Sequence, residues 1–204
     1  MIKLVLFDLD GVLINSKENM RCSWSAVKKK FNLQQSFETY FKNIGLPFFV
    51  ILKKIGIKDK ETDIKAIYNK YSIKNFNNIK LYPDVKKTLN FLKKKNFKLG
   101  IVTSKNQQRT NKILKKLDLD IFDIVVAPKK NLKGKPYPDQ ILYSLERLKI
   151  KNREACYIGD TYVDFKSAKN SKVKFIFAKY GYGDFKKSYF NNIKNIRELK
   201  KFIL

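Results

Sequence analysis

The latter part of this chain repeats one arrangement: a short apolar run of strand formers, then a stretch with apolar residues at helical spacing. Residues 98–103 (KLGIVT) lead into 107–117, 123–127 (DIVVA) into 139–148, and 155–158 into 163–170. A further apolar run at 173–178 and a helical stretch at 196–204 follow. Repeated alternation of this kind requires a parallel sheet, because each strand must cross back through a helix to start beside its neighbour. One more apolar run, residues 3–8 (KLVLFD), stands apart near the N-terminus and ends at Gly11, a breaker. Between it and the repeating part, residues 16–82 read as largely helical. Stretches such as AVKKKFNL and DIKAIYNKY have apolar residues three and four apart, Gly45, Pro47 and Gly56 punctuate them, and no convincing strand is present. Pro83-Asp84 then opens the amphipathic helix DVKKTLNFLKKK, with Pro83 near its first turn. The expected fold is α/β: a doubly wound, Rossmann-like parallel-sheet core from residues 1–15 and 83–204, with an α-helical cap, 16–82, inserted after the first strand.

Composition narrows the function. A chain of 204 residues, 44% of them hydrophobic, supplies a core for one such domain and a small second module. No apolar run approaches the roughly 20 residues of a membrane span, and the N-terminal run lacks the pattern of a signal peptide, so the expected location is cytoplasmic, with no membrane partner. The two cysteines, Cys22 and Cys156, read as idle thiols and not as a disulfide or metal pair. Histidine is absent. That excludes a Ser-His-Asp triad, a Cys-His pair and the common zinc sites, and leaves proton transfer to carboxylates, lysines or a metal-bound water.

The formal charge of +27 admits two readings. One is nucleic-acid binding. Against it, lysine is spread over nearly every helical stretch, and no basic run interleaved with aromatics forms a recognition module. Nucleic acid is therefore disfavoured as a partner, and the positive field is expected to favour small anionic substrates such as phosphate esters.

Open parallel sheets receive ligands beyond the carboxyl ends of their strands. Asp8 and Asp10 follow the first strand there, Thr103 and Ser104 end the second, Lys135 sits in the loop after DIVVA, and Asp160 and Asp164 follow the strand at 155–158. Each has a bland alternative. Asp-x-Asp-Gly makes turns or calcium-like loops, Gly-Asp-Thr makes a turn with a cap, Thr-Ser caps a following helix, and a lysine before proline is ordinarily solvated. Four segments converging on one edge suit phosphoryl transfer, which needs a nucleophile, neutralised phosphate oxygens and a protonated leaving group. Crowded carboxylates call for a hard cation such as Mg²⁺, which Asp8, Asp160 and the Asp10 carbonyl could hold. Asp10 could act as general acid and base, Lys135 could offset charge, and Thr103 with the following amides could grip a phosphate oxygen.

In this order the segments resemble the haloacid dehalogenase superfamily over nearly the whole chain. FDLDGVL is similar to its first motif, GIVTS to the second, the Lys of GKPYPD to the third and YIGDTYVD to the fourth. The resemblance implies a nucleophile at Asp8, an acid/base at Asp10, phosphate contacts at Thr103, Ser104 and Lys135, and Mg²⁺ held by Asp8, Asp10 and Asp160, with Asp164 supporting the metal shell. An acid at Asp10 points to phosphoryl chemistry, since the dehalogenases themselves lack one there. The helical insertion resembles the cap of the phosphoglycolate phosphatase and β-phosphoglucomutase branch, as do IGLPFFVILKKIG, LYPDVKKTLNFLKKKNFKLGIVTSK and KFIFAKYGYGD. Within it, Lys42, Lys53 and Lys54 are candidate substrate contacts, with a solvated helix face as the alternative. The basic, serine-containing pattern of the mutase cap has no match. The expected function is hydrolysis of phosphoglycolate or a sugar phosphate through an aspartyl phosphate on Asp8. A phosphomutase is the alternative within the class, and a non-catalytic nucleic-acid or acidic-partner binder the alternative outside it.

Overall fold

The computed structural model describes residues 1–183 and 191–204. Six strands form a parallel sheet: β1 Leu4–Phe7, β4 Lys98–Val102, β5 Ile124–Val126, β6 Ala155–Gly159, β7 Lys174–Ala178 and β8 Asn191–Ile193. They lie in the order β5-β4-β1-β6-β7-β8, so β1 is central. The register pairs Leu4 with Lys98 on one side and with Ala155 on the other, which brings the ends of β4 and β6 level with the end of β1.

Because side chains alternate along a strand, each strand feeds two cores. Val5, Phe7, Leu99, Ile101, Cys156, Ile158 and Ile176 face one layer. There they meet Val85, Leu89 and Leu92 of α5 (Val85–Lys94), Ile113 of α6 (Gln107–Lys116), and Ile196, Leu199 and Ile203 near the C-terminus. Leu4, Leu6, Tyr157, Phe175 and Phe177 face the other, against Ile141 and Leu145 of α7 (Asp139–Leu148) and Ala168 of α8 (Tyr162–Asn170).

The insertion holds four helices: α1 Lys17–Phe31, α2 Phe37–Phe41, α3 Phe48–Lys54 and α4 Glu61–Lys74. They have an apolar cluster of their own, with Met20, Trp24, Val27, Tyr40, Leu52, Ile64 and Tyr68 buried together. The Trp24 and Tyr40 rings stack at 4.5 Å, and the Trp24 indole N–H donates to the Gln35 carbonyl. Polar contacts tie these helices to the sheet side. The Ser104 hydroxyl donates to the Gly45 carbonyl at 2.8 Å, and Arg109 donates to Asn69 and Ser72.

The differences from the sequence reading lie at joins and edges. The stretch read as free of strands ends in β3, Lys80–Leu81, which pairs antiparallel with β2, Ile14–Asn15, just before that stretch, a two-stranded ribbon where the chain enters and leaves the insertion. Two residues a side is too short for alternation to register. Helix α5 begins at Val85, two residues after Pro83, because Asp84 adopts a left-handed conformation (φ 63°). The C-terminal stretch is a 3₁₀ turn, Ile196–Leu199, running into α9, Lys200–Ile203. Strand β8 was not expected: only Ile193 of its three residues is buried. Both cysteines are free; Cys156 is buried on β6, where burial pushes its thiol up to about 12. The last residue of the KFIFAKYGYGD resemblance, Asp184, lies outside the described residues.

Two leucines on core helices separate packing from mere apolarity, since Leu89 is fully buried and Leu142 is 41% exposed. Leu89→Ala is expected to cost about 2–5 kcal/mol in urea unfolding, and Leu142→Ala less than about 1 kcal/mol. Equal losses would contradict the two-layer core.

Candidate functional site

The carboxyl ends of β1, β4 and β6 and the loop after β5 meet around one cavity of about 290 Å³. That is near the lower end for ligand pockets. Asp8, Asp10, Thr103, Ser104 and Lys135 line it, so these five positions read from the sequence are brought together. Asp160 and Asp164 lie behind Asp8, and each is fully buried. Lys42, Lys53 and Lys54 are exposed and do not line the cavity. Helix α3 buries Ile51 and Leu52, which turns its lysines outward to water.

Lys135 organises the buried part. Its ammonium, fully buried, lies 2.8 Å from Asp8 Oδ1 and 2.7 Å from Asp164 Oδ1, and donates to the Tyr157 hydroxyl at 3.1 Å. Burial alone would lower its pKa, but the Asp164 and Asp8 carboxylates outweigh that and hold it above the ordinary lysine range. Asp164 is saturated. Oδ1 also accepts from Tyr157, and Oδ2 accepts from the Thr161 amide at 3.0 Å and hydroxyl at 2.5 Å. The bond from the Thr161 amide is one half of the N-terminal capping box of α8, whose other half is the Asp164 amide donating to the Thr161 side chain, so the turn-and-cap reading of Gly-Asp-Thr is correct for Thr161 and Asp164, alongside the contact with Lys135.

Asp8 and Asp160 are less well compensated. Burial pushes the Asp8 carboxyl up to about 7; Lys135 pulls against this, while Asp164 and Asp10 add to it. Burial, then the Asp164 and Asp8 charges, raise Asp160 in the same direction. Asp160 Oδ2 accepts from the Tyr182 amide at 2.6 Å, but its buried Oδ1 has no partner among the described residues. Gly11 lets the chain come this close: its φ is 86°, and a Cβ there would overlap the Asp160 carboxylate.

Oxygens of Asp8, Asp160 and Asp164 all fall within 4.8 Å of one another, a buried acidic set able to hold a divalent metal. Mg²⁺ fits it. The donors are hard carboxylate oxygens, one of them has no partner among the described residues, and burial pushes two of the three acids above their ordinary pKa.

Asp10 stands forward of this group. One carboxylate oxygen takes the Ser16 hydroxyl, and the other pairs with Lys105 at 3.0 Å. Lys105 is nearly buried, which lowers its pKa, with Asp10 opposing and Arg109 adding to the shift. Thr103 is buried, and its hydroxyl oxygen accepts the Lys105 amide at 3.2 Å. The cap of α6 is Asn106 and not Thr103 or Ser104, so those two are excused that duty. Ser104 spends its hydroxyl on Gly45.

Sequence reasoning missed Ser16, Lys105, Arg109, Tyr157 and Tyr182. Lys105 had a signal, one residue beyond Thr103-Ser104 at the same strand end. Tyr157 had a weaker one, a phenol inside an otherwise apolar strand.

Residues 5–178 match the haloacid dehalogenase-like hydrolase family, and the chain belongs to that family. A phosphoglycolate phosphatase of Aquifex aeolicus is 32% identical over 185 residues, covering 89% of this chain and 86% of its own. A pyrophosphatase PpaX of Listeria welshimeri is 30% identical over 175 residues, 84% of this chain and 80% of its own. A haloacid dehalogenase-like family hydrolase of Streptococcus pneumoniae matches in structure with a TM-score of 0.87, over 100% of this chain and 99% of its own. Its identity of 21% makes that a likeness of fold alone.

Removing one member of the buried network leaves the others unpaired. Asp164→Asn is therefore expected to lower stability by about 3–5 kcal/mol, read from urea unfolding. A loss below about 1 kcal/mol would mean that Lys135 is held by something other than this pair.

Proposed function

We propose that this chain is a Mg²⁺-dependent phosphatase that hydrolyses a small phosphate monoester, phosphoglycolate or a sugar phosphate, through an aspartyl phosphate on Asp8. The observation that carries this reading is the position of Asp8: at a strand end, braced by Lys135, beside an Asp160 oxygen that has no partner among the described residues, with Asp10 two residues on in the same cavity. Membership of a hydrolase family and a relative named phosphoglycolate phosphatase support it.

In this reading Asp8 attacks phosphorus as the ester P–O bond breaks, and Asp10 gives its proton to the leaving alkoxide. Asp10 then takes a proton from water; the water oxygen attacks the acyl phosphate, releasing inorganic phosphate and freeing Asp8. Lys135 keeps Asp8 oriented and balances the charge of the transferring group. The Thr103 hydroxyl and the main-chain amides that follow, through Ser104, grip a phosphoryl oxygen. Asp8, Asp160 and the Asp10 carbonyl would hold Mg²⁺, oriented by Asp164 from behind. When bound, the ion supplies positive charge to the phosphoryl oxygens. Residues 16–82 act as a cap over the core of 1–15 and 83–204, excluding water and selecting the substrate. No helix of the described residues is long and apolar enough to cross a membrane, which suits a cytoplasmic enzyme acting on a dissolved metabolite. Pyrophosphate is the second substrate to weigh, on the strength of the relative named pyrophosphatase.

Phosphate release should require Mg²⁺ and concentrate on one or two compounds in a panel of phosphoglycolate, sugar phosphates, nucleotides, pyrophosphate and an aryl phosphate. Asp8→Asn should lower kcat at least about a thousandfold with an unchanged circular-dichroism spectrum. Retained turnover would sink the mechanism, isomerised sugar phosphate without free phosphate would establish a mutase, and salt-sensitive binding to random DNA without hydrolysis would favour a binder.

The metal is testable without activity. Asp8 and Asp160 titrate above their ordinary range in the folded chain, so the stability linked to Asp8 protonation is complete below about pH 4 and lost as pH rises through about 7, and Asp160 acts in the same direction. Mg²⁺ binds the ionised forms. The rise in Tm on adding Mg²⁺ to EDTA-treated protein should thus be larger at about pH 8 than at about pH 5. A rise that shrinks with pH would count against carboxylate ligation.

A further inference from the structure

The charges around the cavity divide into two groups. Four cationic side chains line it: Lys65, Lys105, Arg109 and Lys135. Lys135 is matched by Asp8 and Asp164, and Lys105 by Asp10. Among the described residues, Lys65 and Arg109 have no carboxylate partner.

Both lie on the side of the cavity formed with α4. Arg109, on α6, donates to Asn69 Oδ1 at 3.3 Å and to the Ser72 hydroxyl, and its guanidinium sits 5.8 Å from the Tyr68 ring centroid. Its partners are all neutral, so it is oriented without being neutralised, and these two bonds use two of its five N–H donors. Ser72 is in turn fixed by a buried hydrogen bond to Asn19. Lys65, one turn before Asn69 on α4, lies 4.3 Å from the Phe49 ring centroid. The remaining wall there is apolar, including Phe48 and Pro47, and lowers the local dielectric. A part-buried, oriented guanidinium that lines the same cavity as a second unpaired cation is a receptor for an anion.

We propose that Arg109 and Lys65 form a second anion subsite, which binds the non-reacting anionic group of a two-headed phosphate ester while its phosphoryl group meets Asp8. This rests on the phosphatase reading of Asp8 and sharpens it. Substrates with a carboxylate or second phosphate close to the reacting phosphate are selected over those offering hydroxyls or an aryl ring, because only an anion answers two unpaired cations.

The test uses the full-length Asp8→Asn chain, which holds ligands without consuming them, with Mg²⁺ present. Titration calorimetry is run with phosphoglycolate, pyrophosphate and phenyl phosphate, then repeated after adding Arg109→Gln or Lys65→Met. A two-headed ligand should bind roughly tenfold or more tighter than phenyl phosphate, and each added substitution should erase most of that margin. Whether the carboxylate or the diphosphate probe carries the margin identifies the second group. Absence of any margin, or equal losses for phenyl phosphate, would overturn the subsite. Lys65→Met, at a half-exposed helical position, decides the question should loss of the Ser72 and Asn69 bonds unfold Arg109→Gln. A margin in the Asp8→Asn chain without phosphate release by the wild type would retain the subsite and reject the phosphatase. Release without a margin would do the reverse.

Discussion

Burying carboxylates without water forces the rest of this site into place. Asp8, Asp160 and Asp164 bring their oxygens within 4.8 Å of one another in the interior, with a single lysine among them. Isolated charges in such surroundings are too costly to keep, so each must find a partner or a proton. Asp164 finds four donors and stays saturated. Asp8 shares Lys135, and Asp160 is left with an oxygen that has no partner among the described residues. The deficit of positive charge falls next to the residue proposed as nucleophile. A site balanced by protein groups alone would have no place for either a cation or a phosphoryl group.

The framework that carries this deficit is stiff. Asp8 follows the central strand of the sheet, held by neighbours on both sides in fixed register. Asp164 belongs to the first turn of α8 and caps it, so the rotation of its carboxylate is fixed by the helix as well as by Lys135. Such overlap of structural and polar roles is how side chains are held to the tolerance that phosphoryl transfer demands.

The helical insertion completes the cavity with chemistry of a different kind. Its apolar cluster is built mostly from its own residues, with Tyr182 of the core packed against it, while its contacts with the sheet side at Ser104 and Arg109 are polar. The surplus of cations facing the insertion, against the paired cations facing Asp8, makes the cavity electrostatically asymmetric. The net charge of +27 adds a diffuse attraction for anions over the surface. Discrimination among them has to come from the few cations that are oriented within the cavity.

Most of the framework was legible in the sequence because it depends on local pattern. Alternating strands and helices, the breaker at Gly11 and the acids and hydroxyls at successive strand ends are set by short-range preference and by where an open sheet places its strand termini. The short pieces β2, β3 and β8 were not legible, since two or three residues carry no period. Residues such as Tyr157 and Asn106, whose roles depend on which neighbour they reach, were also out of view. The sequence by itself determined the fold class and the set of residues gathered at the sheet edge. Only the tertiary structure decided how those charges pair: that Asp164 is consumed by Lys135, Tyr157 and Thr161, that Lys105 answers Asp10, and that Arg109 meets neutral partners across the cavity. Pairing depends on distances between segments far apart in the chain, and no local pattern of residues encodes those distances.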